Sequence, residues 1–260
     1  MSTAVEIADA ARAEIADLTD LQLLPLGQAA IAELAPASGQ IVLDVGCGAG
    51  GSILLLADRV GTTGRVIGVD IGRRVLAVAS ARTKHLPHVT LVEDDAAQFQ
   101  HPSRSIDAIY SGFGVMFFAD PVRAFANLKR MLRPGGRLAF VCWRSLQENE
   151  LDAHPLQAAR LDVAIDDTPF SFEDPQIIRS ILSDAGFRDI SICKHDASVS
   201  CGGLEETLQV ATTVGPLGKV LRETPSLMDD VKPRVREALS SRVRGGAVYL
   251  KAATWLVSAA

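Results

Sequence analysis

The chain has 260 residues, 48% apolar and 22% charged, which fits one large α/β domain with insertions better than two independent domains. Its net charge is −5 and no block of Lys or Arg stands out, which weighs against a non-specific nucleic-acid footprint and favours a neutral or cationic small substrate. The longest apolar runs, such as residues 53–57, are far too short to span a bilayer. Residues 1–18 mix Glu6, Asp9, Glu14 and Asp17 into their apolar positions and lack a cationic start before an apolar stretch, so no targeting segment and a cytoplasmic protein are expected. Cys47, Cys142, Cys193 and Cys201 show no C-x-x-C spacing; they predict buried thiols rather than a metal site or a disulfide framework.

In chain order, residues 5–17 and 20–35 read as helices, the second carrying Leu21, Leu24 and Ile31 on one face and interrupted by Pro25. The period then changes. Ile41-Val42-Leu43-Asp44-Val45 is a short apolar run ending in glycines, the mark of a strand buried on both faces, and residues 52–59 follow as a helix. Residues 65–70 and 72–83 repeat the strand and helix signals, and residues 89–92 and 107–111 give two more strands. Asp120-Pro121 opens a helix that stops at Arg133-Pro134-Gly135-Gly136, before a strand at 138–142. Asp174-Pro175 opens another helix, which ends near Gly186; Ile190 and Ile192 then alternate as a strand should, and residues 248–258 supply the last strand. Strand and helix alternate throughout, which predicts a mostly parallel sheet. Residues 144–173 and 203–245 break the alternation as helical insertions.

The stretch Asp44-Val45-Gly46-Cys47-Gly48-Ala49-Gly50-Gly51 lies between a predicted strand and a predicted helix, where glycines let backbone turn sharply and approach a ligand. Its spacing also satisfies the dinucleotide pattern G-x-G-x-x-G. Asp44 discriminates: a carboxylate two residues before the first glycine opposes a pyrophosphate but suits a ligand bearing an ammonium and a sulfonium. Asp70, ending the second strand, is placed to accept hydrogen bonds from two ribose hydroxyls.

These residues carry a family resemblance. Residues 42–51 resemble the first motif of class I S-adenosylmethionine-dependent methyltransferases, and Val66-Ile67-Gly68-Val69-Asp70-Ile71 the ribose-binding strand that follows. Residues 91–96 are similar to the adenine-binding segment; residues 105–111 and 132–138 resemble later motifs of the ubiquinone/menaquinone methyltransferase-like branch. The resemblance implies an α/β, Rossmann-like, seven-stranded and mostly parallel doubly wound sheet with helical insertions. Residues 1–260 would form a single methyltransferase domain: N-terminal helices at 1–36, a cofactor-binding core at 37–143, lid-like insertions at 144–173 and 203–245, and a closing strand at 246–260. It further implies S-adenosylmethionine as cofactor. Asp70 would bind ribose, Ile71 pack on adenine, and Asp95 with the Ala96 amide read the adenine edge. Asp44, Gly46, Cys47, Gly48, Gly50 and the backbone at Ser111 would hold the methionine portion.

Methyl transfer from a sulfonium is an in-line displacement in which alignment supplies much of the acceleration, so a base is needed only where the acceptor must lose a proton. His154, in the first insertion, is the candidate base; no metal site is expected. The segment after the fourth strand, Ser111-Gly112-Phe113-Gly114, lacks the Asn/Asp-Pro-Pro-aromatic pattern of enzymes that methylate nucleobase or amide nitrogens, which points to a small-molecule acceptor without nucleic acid or membrane. Residues 113–118 either line its pocket or pack the next helix, and Asp107 orients a strand. Trp143 marks the sheet edge where ligands bind, so the insertions are expected to cover the acceptor, or else to form a homodimer surface. The rival functions are a non-catalytic cofactor-binding module and an NAD-dependent oxidoreductase, which Asp44 and the lack of a Tyr-x-x-x-Lys pair disfavour.

Overall fold

The computed structural model describes residues 3–260; Met1 and Ser2, the start of the segment read as lacking a targeting signal, lie outside the described residues. Helices α1 (Thr3–Glu14) and α2 (Ala16–Leu34) precede β1 (Ile41–Val45), α3 (Gly51–Val60), β2 (Arg65–Asp70), α4 (Arg73–Thr83), β3 (Val89–Glu93) and β4 (Ile106–Gly112). Then come α5 (Pro121–Met131), β5 (Leu132–Trp143), α6 (Glu150–Ala159), α7 (Pro175–Asp184) and β6 (Ser191–Val199). The remainder is α8 (Leu204–Thr213), α9 (Gly215–Glu223), α10 (Met228–Ser240), a small hairpin of β7 (Val243–Arg244) and β8 (Ala247–Val248), and β9 (Leu250–Ala259). Seven strands form one sheet in the order β3-β2-β1-β4-β5-β9-β6. The first five are parallel, and β9 runs antiparallel to both neighbours.

Alternation along each strand decides what packs where. Val42, Val66, Ala108, Tyr110, Ala139 and Val141 point to one face, against Ala30, Ile31 and Leu34 of α2 and Ile53, Leu56 and Val60 of α3. Leu43, Val45, Ile67, Val69, Ile109, Leu138 and Phe140 point to the other, against Phe125 and Leu128 of α5 and Ile178 and Leu182 of α7. Both faces are covered, so the parallel strands read as continuous apolar runs.

Three local outcomes differ from the sequence pattern. Pro25 does not interrupt α2; it is exposed and inside a continuous helix, where the one missing amide bond frees a carbonyl on the outer side. The chain enters β5 at Leu132, six residues before the predicted start, because Leu132 pairs with Ile106 directly after α5 ends. The stop signals Pro134 and Gly135 (φ +80°) then lie within the strand's irregular opening, before regular pairing resumes at Ala108 and Arg137. Among the cysteines, Cys193 is exposed and the other three are buried.

The insertions have a core of their own. Leu208, Leu217, Leu221, Val231, Val235 and Leu239 of α8, α9 and α10 pack with Ala159 of α6 and with Val248 and Leu250. Among the described residues no helix is long and apolar enough to cross a membrane.

Helix α4 depends on a cap from elsewhere. Its own N-cap is Gly72, which has no side chain, and the first-turn amides of Arg74 (2.7 Å) and Val75 (3.2 Å) donate instead to the carboxylate of Asp9 on α1. Asp9 is buried. Replacing it, Asp9→Ala, is expected to lower the unfolding free energy by about 1–2 kcal/mol, the usual worth of an N-cap acid. Urea denaturation checks this, and an unchanged midpoint would refute the role given to Asp9.

Candidate active site

A cavity of about 530 Å³ opens at the C-terminal ends of β1, β2, β4 and β5, roofed by α1 and α2 and by both insertions. The sheet order reverses between β1 and β4, and the crevice at such a switch point is where open α/β sheets take their ligands.

The loop after β1 is held from two sides. The amides of Gly46 (2.9 Å) and Cys47 (3.1 Å) donate to the carbonyl of Val69 on β2. The carboxylate of Asp70 accepts from the amide of Gly48 (2.9 Å) through one oxygen and from that of Gly72 (2.8 Å) through the other. Gly46 has φ +72°, and a Cβ there would sit 2.9 Å from Cα of Gly114, so only glycine lets the loops after β1 and β4 touch. Gly46, Cys47 and Gly48 all face the cavity, as do Asp70, Ile71, Asp95 and Ala96. Ile71 is 48% exposed, an apolar surface offered to the cavity rather than to the core. Asp95 spends its carboxylate on the amide of Ala97 and on Gln98, which fixes the turn that presents Ala96. Asp70 keeps acceptor capacity, since a carboxylate has about four lone-pair sites and backbone amides occupy two.

Four residues singled out from the sequence are placed differently. Asp44 is fully buried behind the loop, not on the cavity wall; one oxygen accepts from the Ser52 hydroxyl (2.6 Å), and the other has no hydrogen-bond partner. Ser52 does face the cavity, so a hydrogen bond links the wall to Asp44. Gly50 is a turn residue (φ +84°) packed against Ala79. Ser111 is buried: its hydroxyl donates to the carbonyl of Val45 (2.8 Å) and accepts from the amide of Gly114 (3.2 Å), clamping the two loops, and Gly112 takes the place on the wall. His154 is not at the cavity; its Nε2 lies 3.2 Å from the carbonyl of Ala238 on α10.

The reason is helical phase. At 3.6 residues per turn, positions two apart differ by roughly 200° around the axis, so His154 turns to α10 when Asp152 turns to the cavity. Asp152 escaped sequence reading because nothing but the phase of α6 tells it from its neighbours. It faces the cavity without a side-chain hydrogen bond among the described residues, and burial pushes its carboxyl up to about 7. A second group also escaped. Arg82 of α4 donates to Asp20 of α2 (2.6 Å) and to the carbonyl of Ala49 (2.9 Å), and it pairs with Asp17, locking α2 onto the glycine loop. Burial raises the Asp20 carboxyl in spite of Arg82.

Much of the cavity wall is apolar. Phe113 stacks on Trp143 with centroids 4.2 Å apart, and Met116, Phe117, Leu151, Pro169, Val214 and Pro216 complete the wall. Within the stretch 113–118, Phe113, Met116 and Phe117 line the cavity, Val115 is fully buried, and Phe118 packs edge-on against Phe125 of α5. Asp107 orients β1, accepting from the amide of Ile41 (2.6 Å) while paired to Arg133.

Burial raises the Asp44 carboxyl to about 7, with the negative charge of Asp70 adding to the effect and the Ser52 bond opposing it. The folded state therefore binds a proton that the unfolded chain releases near pH 4, and this contribution to stability is lost as pH rises through about 7. In the ligand-free protein, Asp44→Asn should gain on the unmutated chain by about 1.4 kcal/mol per pH unit between about pH 4 and pH 7. Denaturant unfolding at pH 5, 6 and 7 measures the difference; a gap that does not change with pH would exclude a protonated Asp44.

Residues 43–140 match the family model described as a methyltransferase domain. Aklanonic acid methyltransferase DauC of Streptomyces sp. (strain C5) is 35% identical over 118 residues, which cover 45% of this chain and 54% of that protein. The 2-phytyl-1,4-naphtoquinone methyltransferase of Thermosynechococcus vestitus is 34% identical over 114 residues, covering 44% and 51%. The aligned stretch thus spans about half the length of these relatives. The solved structure of Haemonchus contortus phosphoethanolamine N-methyltransferase 2 with phosphomonomethylethanolamine and S-adenosylhomocysteine has the same fold, with a TM-score of 0.56 at 18% identity over 90% of this chain and 52% of that one.

Proposed function

We propose that the chain, through residues 43–140, is a class I S-adenosylmethionine-dependent methyltransferase that transfers a methyl group from S-adenosylmethionine to a small, largely apolar acceptor. One observation carries this reading: the glycine loop, Asp70 and Ile71 open into the same cavity as the aromatic wall formed by Phe113 and Trp143.

The residues present fit the cofactor. The left-handed Gly46 and Gly48 put no side chain of their own between the loop and the cavity, Asp70 retains acceptor capacity for ribose hydroxyls, and Ile71 offers an apolar face to a purine. The buried carboxyl of Asp44, with one oxygen unpartnered, lies behind the loop where a cationic amino acid portion would favour its ionised form and a pyrophosphate would oppose it. When bound, the cofactor brings a methyl group already activated on a sulfonium. What this chain adds is alignment and a dry surrounding, with the loops after β4 and β5 setting the acceptor against the methyl. The relatives' names add a quinone-type ring to the candidates for that acceptor. A cytoplasmic protein without a nucleic-acid partner, able to pair as a homodimer, belongs to the same reading.

Titration calorimetry on the purified chain should give micromolar binding of S-adenosylmethionine and S-adenosylhomocysteine and none of NAD. Asp70→Ala should weaken both sulfur nucleosides by roughly 1–3 kcal/mol, since it removes the ribose acceptor and leaves the Gly48 and Gly72 amides without their partner. Binding of NAD with no response to S-adenosylhomocysteine would overturn the assignment.

The two insertions serve in this proposal as the cover of the acceptor end, since Leu151, Asp152 and Pro169 come from one and Val214, Gly215 and Pro216 from the other. Saturation with S-adenosylhomocysteine should slow amide hydrogen exchange in α6 and α9. Protection confined to the loops after β1 and β2 would reduce the insertions to a passive wall.

A further inference from the structure

Asp152 lies in the first turn of α6, where a helix favours an acid, yet it faces the cavity and is desolvated there. It shares the cavity wall with Leu151, Pro169, Val214 and Pro216, and no Lys, Arg or hydroxyl among the described residues hydrogen-bonds or pairs with it. A structural acid would be capped or paired, as Asp9, Asp95 and Asp107 are. The second insertion also makes room for it. A Cβ on Gly215 would come within 2.6 Å of one Asp152 carboxylate oxygen, and Gly215 has φ +69°, so the chain turns there with no side chain to shield the carboxylate. The arrangement leaves an acceptor without a side-chain partner in the cavity that the stacked Phe113 and Trp143 also line.

We propose that Asp152 is the proton acceptor of the reaction and that the methyl acceptor is a hydroxyl on a flat, apolar ring, a phenol or an enol. The proposal rests on the methyltransferase reading given above. An oxygen lone pair of the ring hydroxyl forms the new bond to the methyl carbon, the carbon–sulfur bond breaks with its electron pair going to sulfur, and the hydroxyl proton passes to the Asp152 carboxylate. Charge balances: a sulfonium and a carboxylate become a neutral thioether and a carboxylic acid. The raised carboxyl of Asp152 suits the task, because an ordinary carboxylate is too weak a base to draw a proton from a phenol efficiently. The environment also explains why one acid is enough, since a ring hydroxyl fills an apolar slot and needs a single polar partner.

The test uses the full chain with 1-naphthol as probe and 1-methoxynaphthalene, which has no hydroxyl, as control. Binding of S-adenosylhomocysteine is measured first; if it is absent, the methyltransferase reading falls and this inference with it. In the S-adenosylhomocysteine-saturated protein, Asp152→Ala should weaken 1-naphthol about tenfold and leave 1-methoxynaphthalene within twofold, because only the former donates a hydrogen bond to a charged acceptor. With labelled S-adenosylmethionine the unmutated chain should form the methyl ether of 1-naphthol. Asp152→Asn, matched in shape, should lower kcat by 10²-fold or more with S-adenosylhomocysteine affinity unchanged. If S-adenosylhomocysteine binds and 1-naphthol neither binds nor is methylated, the ring-hydroxyl assignment is wrong. If Asp152→Asn methylates it within threefold of the unmutated chain, Asp152 is not the proton acceptor.

Discussion

The site depends on one carboxylate holding two backbone amides. Asp70 ends β2, and its two oxygens accept from Gly48 in the loop after β1 and from Gly72 at the start of α4. A parallel sheet leaves the turns at its strand ends to be fixed by whatever lies beside them, and the cavity exists only while adjacent turns keep their spacing. Asp70 sets that spacing between β1 and β2, and Ser111 does the equivalent between β1 and β4 by bonding Val45 and Gly114. Both are hydrogen bonds to backbone, so the shape they fix tolerates changes in the side chains around them.

Charge near the loop is arranged with the same economy. Burial raises the carboxyls of Asp44 and Asp20, with the charge of Asp70 adding to the first and that of Asp17 to the second. Arg82 offsets part of this from behind, tying Asp17 and Asp20 to the carbonyl of Ala49 and so coupling the N-terminal helices to the loop they roof. The result is a pocket rim that is electrostatically short of positive charge. A ligand bearing a sulfonium and an ammonium supplies it; one bearing two phosphates makes the deficit worse.

The sheet was legible because its causes are local. Apolar runs of five or six residues bounded by glycine mark β1 and β2, and Asp120-Pro121 and Asp174-Pro175 mark helix starts whose side chains do accept from Arg123 and Gln176. The glycine-loop side of the cavity was legible for the same reason, since Gly46, Gly48, Asp70, Ile71, Asp95 and Ala96 line it from short turns adjoining strands that pattern already fixes. What pattern could not give is phase and distance. His154 and Asp152 share a helix, and only the packing of α6 on α10 decides which of them turns inward. Arg82 meets Asp20 across 62 positions and Ala49 across 33, a convergence that no spacing rule anticipates. Asp44 and Ser111 were chosen for the right loop, but their side chains brace it from behind.

The separate core of the insertions has a consequence for how such a protein changes over time. Leu208, Leu221, Val231, Val235 and Leu239 bury one another, while the clusters on the two faces of the sheet close without them. Substitutions that reshape α6, α8, α9 or α10 therefore draw on a different reserve of stability from those that hold Asp70 and the glycine loop. Lineages can diverge in the insertions while inheriting Asp70 and the glycine loop intact, and selection on the one part is largely decoupled from selection on the other.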